Sequence, residues 1–238
     1  MQISPDQWIL ADWPPFALNA TIAFTWLVMA ILCIGSWLIT SRLSTGESVS
    51  RWQVMLEVVV TAIRDQIAEI GAEEGDRYLP FIGTLFLFIA SSNLLSVVPG
   101  YLPPTGSLST TAALAIAVLI AVPAFSIARQ GLGGYLRTYV RPTPLMLPFN
   151  LVAEVSRTVA LAVRLYGNVM SGTVIAGIVI SVAPFFFPVM MQVLGLLTGF
   201  IQAYIFAVLA MVYIASAART QGAAKPAENA ENANRKEQ

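Results

Sequence analysis

Arg157, Arg164, Asn168 and Ser171 lie within the stretch SRTVALAVRLYGNVMSG, residues 156–172, at separations of three, four or seven positions. On an α-helix such separations fall on one face, so the four make a polar stripe along an otherwise apolar cylinder. A guanidinium does not lose its proton in a protein, and holding one at mid-bilayer depth costs about 2.5 kcal/mol or more. Glu154, three residues before Arg157, is placed to pair with it. Arg157 is also placed to snorkel to the membrane interface along its aliphatic stem. Arg164 has no acidic residue within four positions on its own helix. Its countercharge must come from another helix, another subunit, water or a lipid headgroup. An ionisable residue kept inside a membrane is by default expected to be functional.

The remaining polar candidates are neutral. Asn93 and Gln202 each interrupt an apolar run, where an amide packs helices together or borders an ion route. Ser96, Ser171, Thr173 and Ser181 add hydroxyls, and from residue 155 to residue 218 there is no Asp or Glu. Histidine is absent, which removes the commonest metal ligand and the usual physiological-pH switch. No metal and no cofactor are expected. The one cysteine, Cys33, reads as a small hydrophobe in the first apolar run.

The composition is 57% hydrophobic and only 11% charged, against about 25% charged in soluble domains. That describes an integral membrane protein. Thirteen basic and thirteen acidic residues cancel, so no long-range field points to nucleic acid.

The elements that must carry the stripe follow from hydropathy. The spacing predicts an all-α polytopic membrane protein: five membrane-embedded helices and one amphipathic surface helix, in a single membrane domain over 20–219. Residues 1–19 are expected outside; they have no Lys or Arg, unlike the basic start of a cleaved signal peptide. Spans are expected at 20–41, 79–98 and 110–128, with a surface helix at 50–72. On that helix Trp52, Leu56, Val59, Ile63, Ile67 and Ile70 make the apolar face. Two overlong runs, 145–182 and 189–219, are expected to tilt and to form a hairpin across the PFFFP turn. Arg42, Arg51, Arg129, Arg137, Arg141 and Arg219 mark the cytoplasmic ends, and the loop through residues 99–109 carries no charge. The amino terminus is therefore expected outside and the carboxyl terminus inside. The tail 220–238 reads as disordered.

Three segments resemble subunit a of F-type ATP synthases. SRTVALAVRLYGNVMSG is similar to the family's signature around an RLFGN-like core. GFIQAYIFAVLAMVYI, residues 199–214, is similar to its glutamine-containing last helix, and NLLSVVPG followed by PPTGSLSTTAALA is similar to its second-span exit. The resemblance implies a non-catalytic stator subunit whose long hairpin faces a ring of small c-type rotor subunits, each with a membrane carboxylate. It also implies peripheral-stalk b-type partners and surrounding membrane lipid. Arg164 would separate two half-channels and attract each rotor carboxylate, with Gln202 facing it and Asn168, Asn93, Ser171 and Thr173 along the ion path.

The chain departs from the family at two places. A glutamate common nine residues after the arginine is Thr173 here, and a histidine found seven residues before the glutamine is Gly195. The proton is the family's default ion, and the neutral oxygens leave sodium as a rival. The expected location is a bacterial plasma (inner) membrane. The competing functional reading is a secondary transporter with Arg164 as an anionic-substrate site, but the chain shows none of the internal repeat many transporters carry. A membrane anchor of a redox complex would need haem-ligating histidines, which are absent.

Overall fold

The computed structural model describes residues 9–13, 16–41, 51–69, 75–98, 100–140, 146–182 and 187–219. The all-α polytopic architecture expected from the sequence is borne out, with a short hairpin added at the start of the chain. Ile9–Trp13 (β1) and Phe16–Asn19 (β2) pair antiparallel, with an irregular register between Ile9 and Ala11. The hairpin leads directly into the first helix.

Six helices follow: α1 (Ala20–Thr40), α2 (Arg51–Glu69), α3 (Gly75–Leu94), α4 (Leu108–Val140), α5 (Met146–Val182) and α6 (Phe187–Arg219). Five of them, all but α2, contain apolar stretches long enough to cross a bilayer. The expected tail at 220–238 and most of the PFFFP turn lie outside the described residues; Phe187 and Pro188 open α6.

The core lies among α3, α4, α5 and α6, and its periodicity is helical on each. Tyr78, Ile82, Leu85, Ile89 and Ser92 are buried on α3, and Ala203, Phe206, Ala210 and Ile214 on α6. Ala115, Val118 and Val122 face them from α4, as do Leu161 and Leu165 from α5. Alanines on α6 let the helix axes approach closely, the usual solution where lipid removes the hydrophobic drive between helices. By contrast α1 is largely exposed, with only Ala20, Thr21 and Val28 buried, and Phe24 meets Tyr101 edge-on at 5.0 Å.

Two element boundaries differ from expectation. Helix α3 starts four residues early, at Gly75, with Asp76 in its first turn where the helix dipole favours a carboxylate. Helix α4 continues past the apolar span to Val140, but its two helical stretches meet at Gly131, where φ is 76° and ψ 164°. Side chains rarely adopt that backbone, so the break needs glycine. The break falls just beyond the end of the apolar stretch Leu108–Ala128.

Helix α2 half-buries Leu56, Val59, Ile63 and Gln66 and exposes Glu57, Arg64, Asp65 and Glu69. Its inner face rests on α3 and α6, and Tyr204 of α6 donates its hydroxyl to Gln66 Oε1. Arg64 Nε contacts Asp76 Oδ1 at 2.9 Å, with both side chains more than half exposed. Such a pair contributes at most about 1 kcal/mol. Helix α5 has 37 residues, about 55 Å at 1.5 Å each, well beyond a hydrocarbon core of about 30 Å.

Phe206 is wholly buried at the centre of this packing. Phe206→Ala leaves a cavity that the surrounding helices cannot fill, costing about 3–5 kcal/mol. The expected result is a clearly lower thermal unfolding midpoint for the purified subunit in its complex, measured by tryptophan fluorescence.

Candidate functional site

Helix α5 has two faces of different character. Leu161 and Leu165 point into the core, whereas Ala160, Val163, Arg164, Gly167 and Ser171 are exposed. The exposed side chains around the guanidinium are short, so another helix can come close to it. Among the described residues Arg164 makes no ion pair and no hydrogen bond. The partner missing from its own helix in the sequence is also missing among the described residues of the fold.

The hairpin register fixes what lies level with this arginine. Asn168 Nδ2 donates to the Thr198 carbonyl at 3.3 Å, tying α5 to α6. One turn back along α5 is Arg164, and one turn on along α6 is Gln202. Because the two helices run antiparallel, both occupy the same level of the hairpin. Gln202 is buried, and its Nε2 has no hydrogen-bond partner. No hydrogen bond joins the two side chains: Gln202 sits in the core and Arg164 on the outer face. Further along, the Arg157 guanidinium lies over the Tyr213 ring, 5.6 Å from its centroid. That is cation–π distance, so Arg157 reaches across the hairpin. Glu154 is half-buried one turn before Thr158, whose hydroxyl donates to the Glu154 carbonyl at 3.0 Å.

On the Ser171 side of Arg164 the helices splay and leave a cleft of about 220 Å³. Asn93 lines it from the end of α3, Ser96 from the 3-10 turn Leu95–Val97 that follows, Asn168 and Thr173 from α5, and Gln192 and Gly195 from α6. Thr173 and Gly195, the two positions at which the chain departs from the family it resembles, therefore line the same cavity. Ser171 lies on the exposed face of α5 and donates to the Asn168 carbonyl at 3.1 Å. The uncharged loop folds over this end of the bundle rather than standing free: Pro103–Ser107 is buried, with a 3-10 turn at Pro104–Gly106.

The deep end of the cleft is closed by a buried contact. Asn93 Nδ2 donates to the Gly199 carbonyl at 3.1 Å. A methyl group on Gly199 would sit 2.8 Å from Asn93 Cγ, so only glycine permits this approach. Tyr101, from the loop, also lines the cleft; its hydroxyl is buried beside Ser92. Neither hydroxyl has a hydrogen-bond partner. Burial raises the Tyr101 phenol above its ordinary pKa, and Ser92 offsets part of this without reaching hydrogen-bond geometry.

Sequence reasoning missed Gln192, Thr198, Gly199 and Tyr101. The first two bind their partners across helices, with Gln192 Nε2 donating to the Ser96 carbonyl at 2.8 Å. The one available signal was Gln192 itself, an amide near the start of an apolar run.

Five apolar spans, a long antiparallel hairpin and a guanidinium unpaired among the described residues define a polytopic integral membrane protein whose polar groups gather on that hairpin. The family described as "ATP synthase A chain" matches over residues 22–215, and the chain belongs to it. The relatives agree along nearly the full length. "ATP synthase subunit a 2" of Acaryochloris marina is 64% identical, covering 92% of this chain and 94% of the relative. "ATP synthase subunit a 1" of Chlorobaculum parvum is 60% identical, covering 93% and 98%. "ATP synthase subunit a" of Albidiferax ferrireducens is also 60% identical, covering 92% and 95%. As a member of this family the chain is a membrane subunit of the ATP synthase and carries no catalytic centre of its own.

Gly199→Ala tests the closed end of the cleft. The added methyl must displace Asn93 and break its bond to the Gly199 carbonyl, an overpacking cost of about 1–3 kcal/mol. The expected outcome is a lower thermal midpoint. Restoration by Asn93→Ala in the double variant, read in a double-mutant cycle, assigns the effect to this contact.

Proposed function

We propose that this chain is the ion-conducting stator subunit of an F-type ATP synthase, coupling ion flow to rotation of a ring of small subunits that each carry a membrane carboxylate. The observation that carries the proposal is Arg164, exposed on a face of short side chains and with no partner among the described residues. A charge left unpaired at membrane depth is costly, and a carboxylate arriving on a neighbouring helix removes that cost. When the ring carboxylate is ionised the guanidinium attracts it. When it is loaded with an ion it is neutral and moves past into lipid. The fixed charge therefore separates the loading side from the unloading side, and an ion crosses only by riding the ring.

In this reading the cleft lined by Asn93, Asn168 and Thr173 is the half-channel on the outer side, with Ser171 near its mouth on the exposed face. Gln202 is level with Arg164 and one turn from the bond that sets the register, and as a buried amide on the core side of the hairpin it supports the packing behind the guanidinium. Glu154 and Arg157 belong to the cytoplasmic end, where Arg157 holds α5 to α6 through Tyr213. The amino terminus lies outside and the carboxyl terminus inside, in a bacterial plasma membrane, by the positive-inside rule. Peripheral-stalk b-type subunits hold the chain still against the turning ring. The family's usual ion, the proton, is the working assignment. The neutral oxygen lining of the cleft is the observation that keeps sodium as the second reading.

The test is ATP-driven ion pumping in vesicles holding the whole complex. Arg164→Ala is expected to abolish pumping while the soluble sector still hydrolyses ATP, and to open a passive leak. Arg164→Lys is expected to fail as well, because a compact, strongly hydrated ammonium lacks the planar fork. Gln202→Leu is expected to impair coupling less than either. Normal pumping by Arg164→Ala would overturn the proposal.

A further inference from the structure

The residues that line the cleft include no carboxylate and no basic group, and its amides and hydroxyls hydrogen-bond in one common pattern. Three carboxamides border it, and each turns its NH2 toward a backbone carbonyl. Asn93 Nδ2 meets the Gly199 carbonyl at 3.1 Å, Asn168 Nδ2 the Thr198 carbonyl at 3.3 Å, and Gln192 Nε2 the Ser96 carbonyl at 2.8 Å. A carbonyl oxygen only accepts, so the partners fix which end of each amide is which. The three amide oxygens are left as acceptors.

The hydroxyls repeat the pattern. Ser96 Oγ donates to the Asn93 carbonyl at 2.6 Å and also lies 3.3 Å from Gln192 Nε2, from which it accepts. Thr173 Oγ1 donates to the Met170 carbonyl at 2.8 Å, and Thr198 Oγ1 to the Leu194 carbonyl at 3.0 Å. Each hydroxyl hydrogen is spent within a helix turn, and each oxygen keeps a lone pair. Tyr101 also lines the cleft, and its hydroxyl is buried.

We propose that Gln192, held by Ser96 with its amide oxygen left as an acceptor, is a specificity-determining residue of this cleft for a small hard cation, sodium or hydronium. This rests on the reading of the chain as the ion-conducting stator subunit. Hard cations take oxygen ligands, and neutral oxygens replace part of a hydration shell without holding the ion by a full charge. An ion that enters such a site can also leave it. The two departures from the family then have one consequence: selection by a titratable pair is replaced by selection by oriented dipoles.

The experiment uses charge sign at Gln192, because the two possible roles of this residue predict opposite orders. If Gln192 only ties α6 to Ser96, Gln192→Lys keeps a donor for that carbonyl and is tolerated, whereas Gln192→Glu places oxygen against oxygen and fails. If Gln192 selects cations, the order reverses. The whole complex is placed in vesicles with the soluble sector outward, so that the cleft opens to the lumen, and ATP synthesis is driven at a fixed membrane potential. Luminal pH is varied at fixed sodium, and luminal sodium at fixed pH; whichever series sets the native rate names the ion.

Gln192→Lys is expected to raise the half-saturating ion concentration at least about tenfold, the effect of about 1.4 kcal/mol of repulsion. The maximal rate should change far less. Gln192→Glu should lower that concentration or leave it unchanged. Thr173→Lys and Thr173→Asp, on the opposite wall, should give the same order, which protects the test if a Gln192 variant does not assemble. Tolerance of Lys with loss in Glu, or equal losses in both, overturns the inference. Arg164→Ala separates the two levels of the argument: if it still couples, the stator reading fails. If it uncouples while the Gln192 and Thr173 charges show no sign preference, only the cation site fails.

Discussion

A guanidinium at bilayer depth has to be neutralised, and in this chain no described residue neutralises it. Arg164 stands on the outside of α5, with the core behind it and short side chains around it. The arrangement is unfavourable for an isolated chain and sensible for a subunit that meets a moving carboxylate. Much of the remaining structure holds that face at a defined height and angle. The Asn168 to Thr198 bond sets the hairpin register, Arg157 over Tyr213 holds the same pair of helices further along, and α3 and α4 support the hairpin from behind.

The polar groups around the cleft have two functions. Asn93, Asn168 and Gln192 point their amide hydrogens at backbone carbonyls of neighbouring elements and leave their amide oxygens as acceptors. One set of hydrogen bonds thus both fastens α3, α5 and α6 and gives the cavity its electrostatic character. Replacing any of these amides with an apolar residue removes a fastening and an acceptor together, which is why charge sign at a rim residue is the sharper probe.

How much was legible in the sequence depended on range. The stripe of Arg157, Arg164, Asn168 and Ser171 is set by local helical spacing, and it could be read directly. So could the five apolar spans, because hydropathy is also a local property. Asn93, Thr173 and Gly195 were identified as polar or altered positions, but nothing local says that they share a cavity. Gln192 and Ser96 are 96 residues apart in the chain, and Asn93 and Gly199 are 106 apart. Such pairings are decided by how helices pack, not by any window of sequence. The burial of the uncharged loop was illegible for a similar reason: absence of charge speaks to the side of the membrane, not to whether the segment packs under the helix ends.

The Gly199 contact has a consequence for electrical insulation. Beyond it, α3 and α6 meet through Ile89, Ala203, Phe206 and Ala210, all buried, so the cleft is a blind alley along its own axis. Ser92 and Gln202 are buried among these side chains, but they form no hydrogen-bonded chain across the subunit. Among the described residues a polar direction runs sideways, past Asn168 toward the exposed stripe of α5. With the cleft as the outer half-channel proposed above, the membrane potential would fall across a thin wall of side chains rather than across the whole bilayer, and a gap of a single methyl group near Gly199 would thin that dielectric where the field is concentrated.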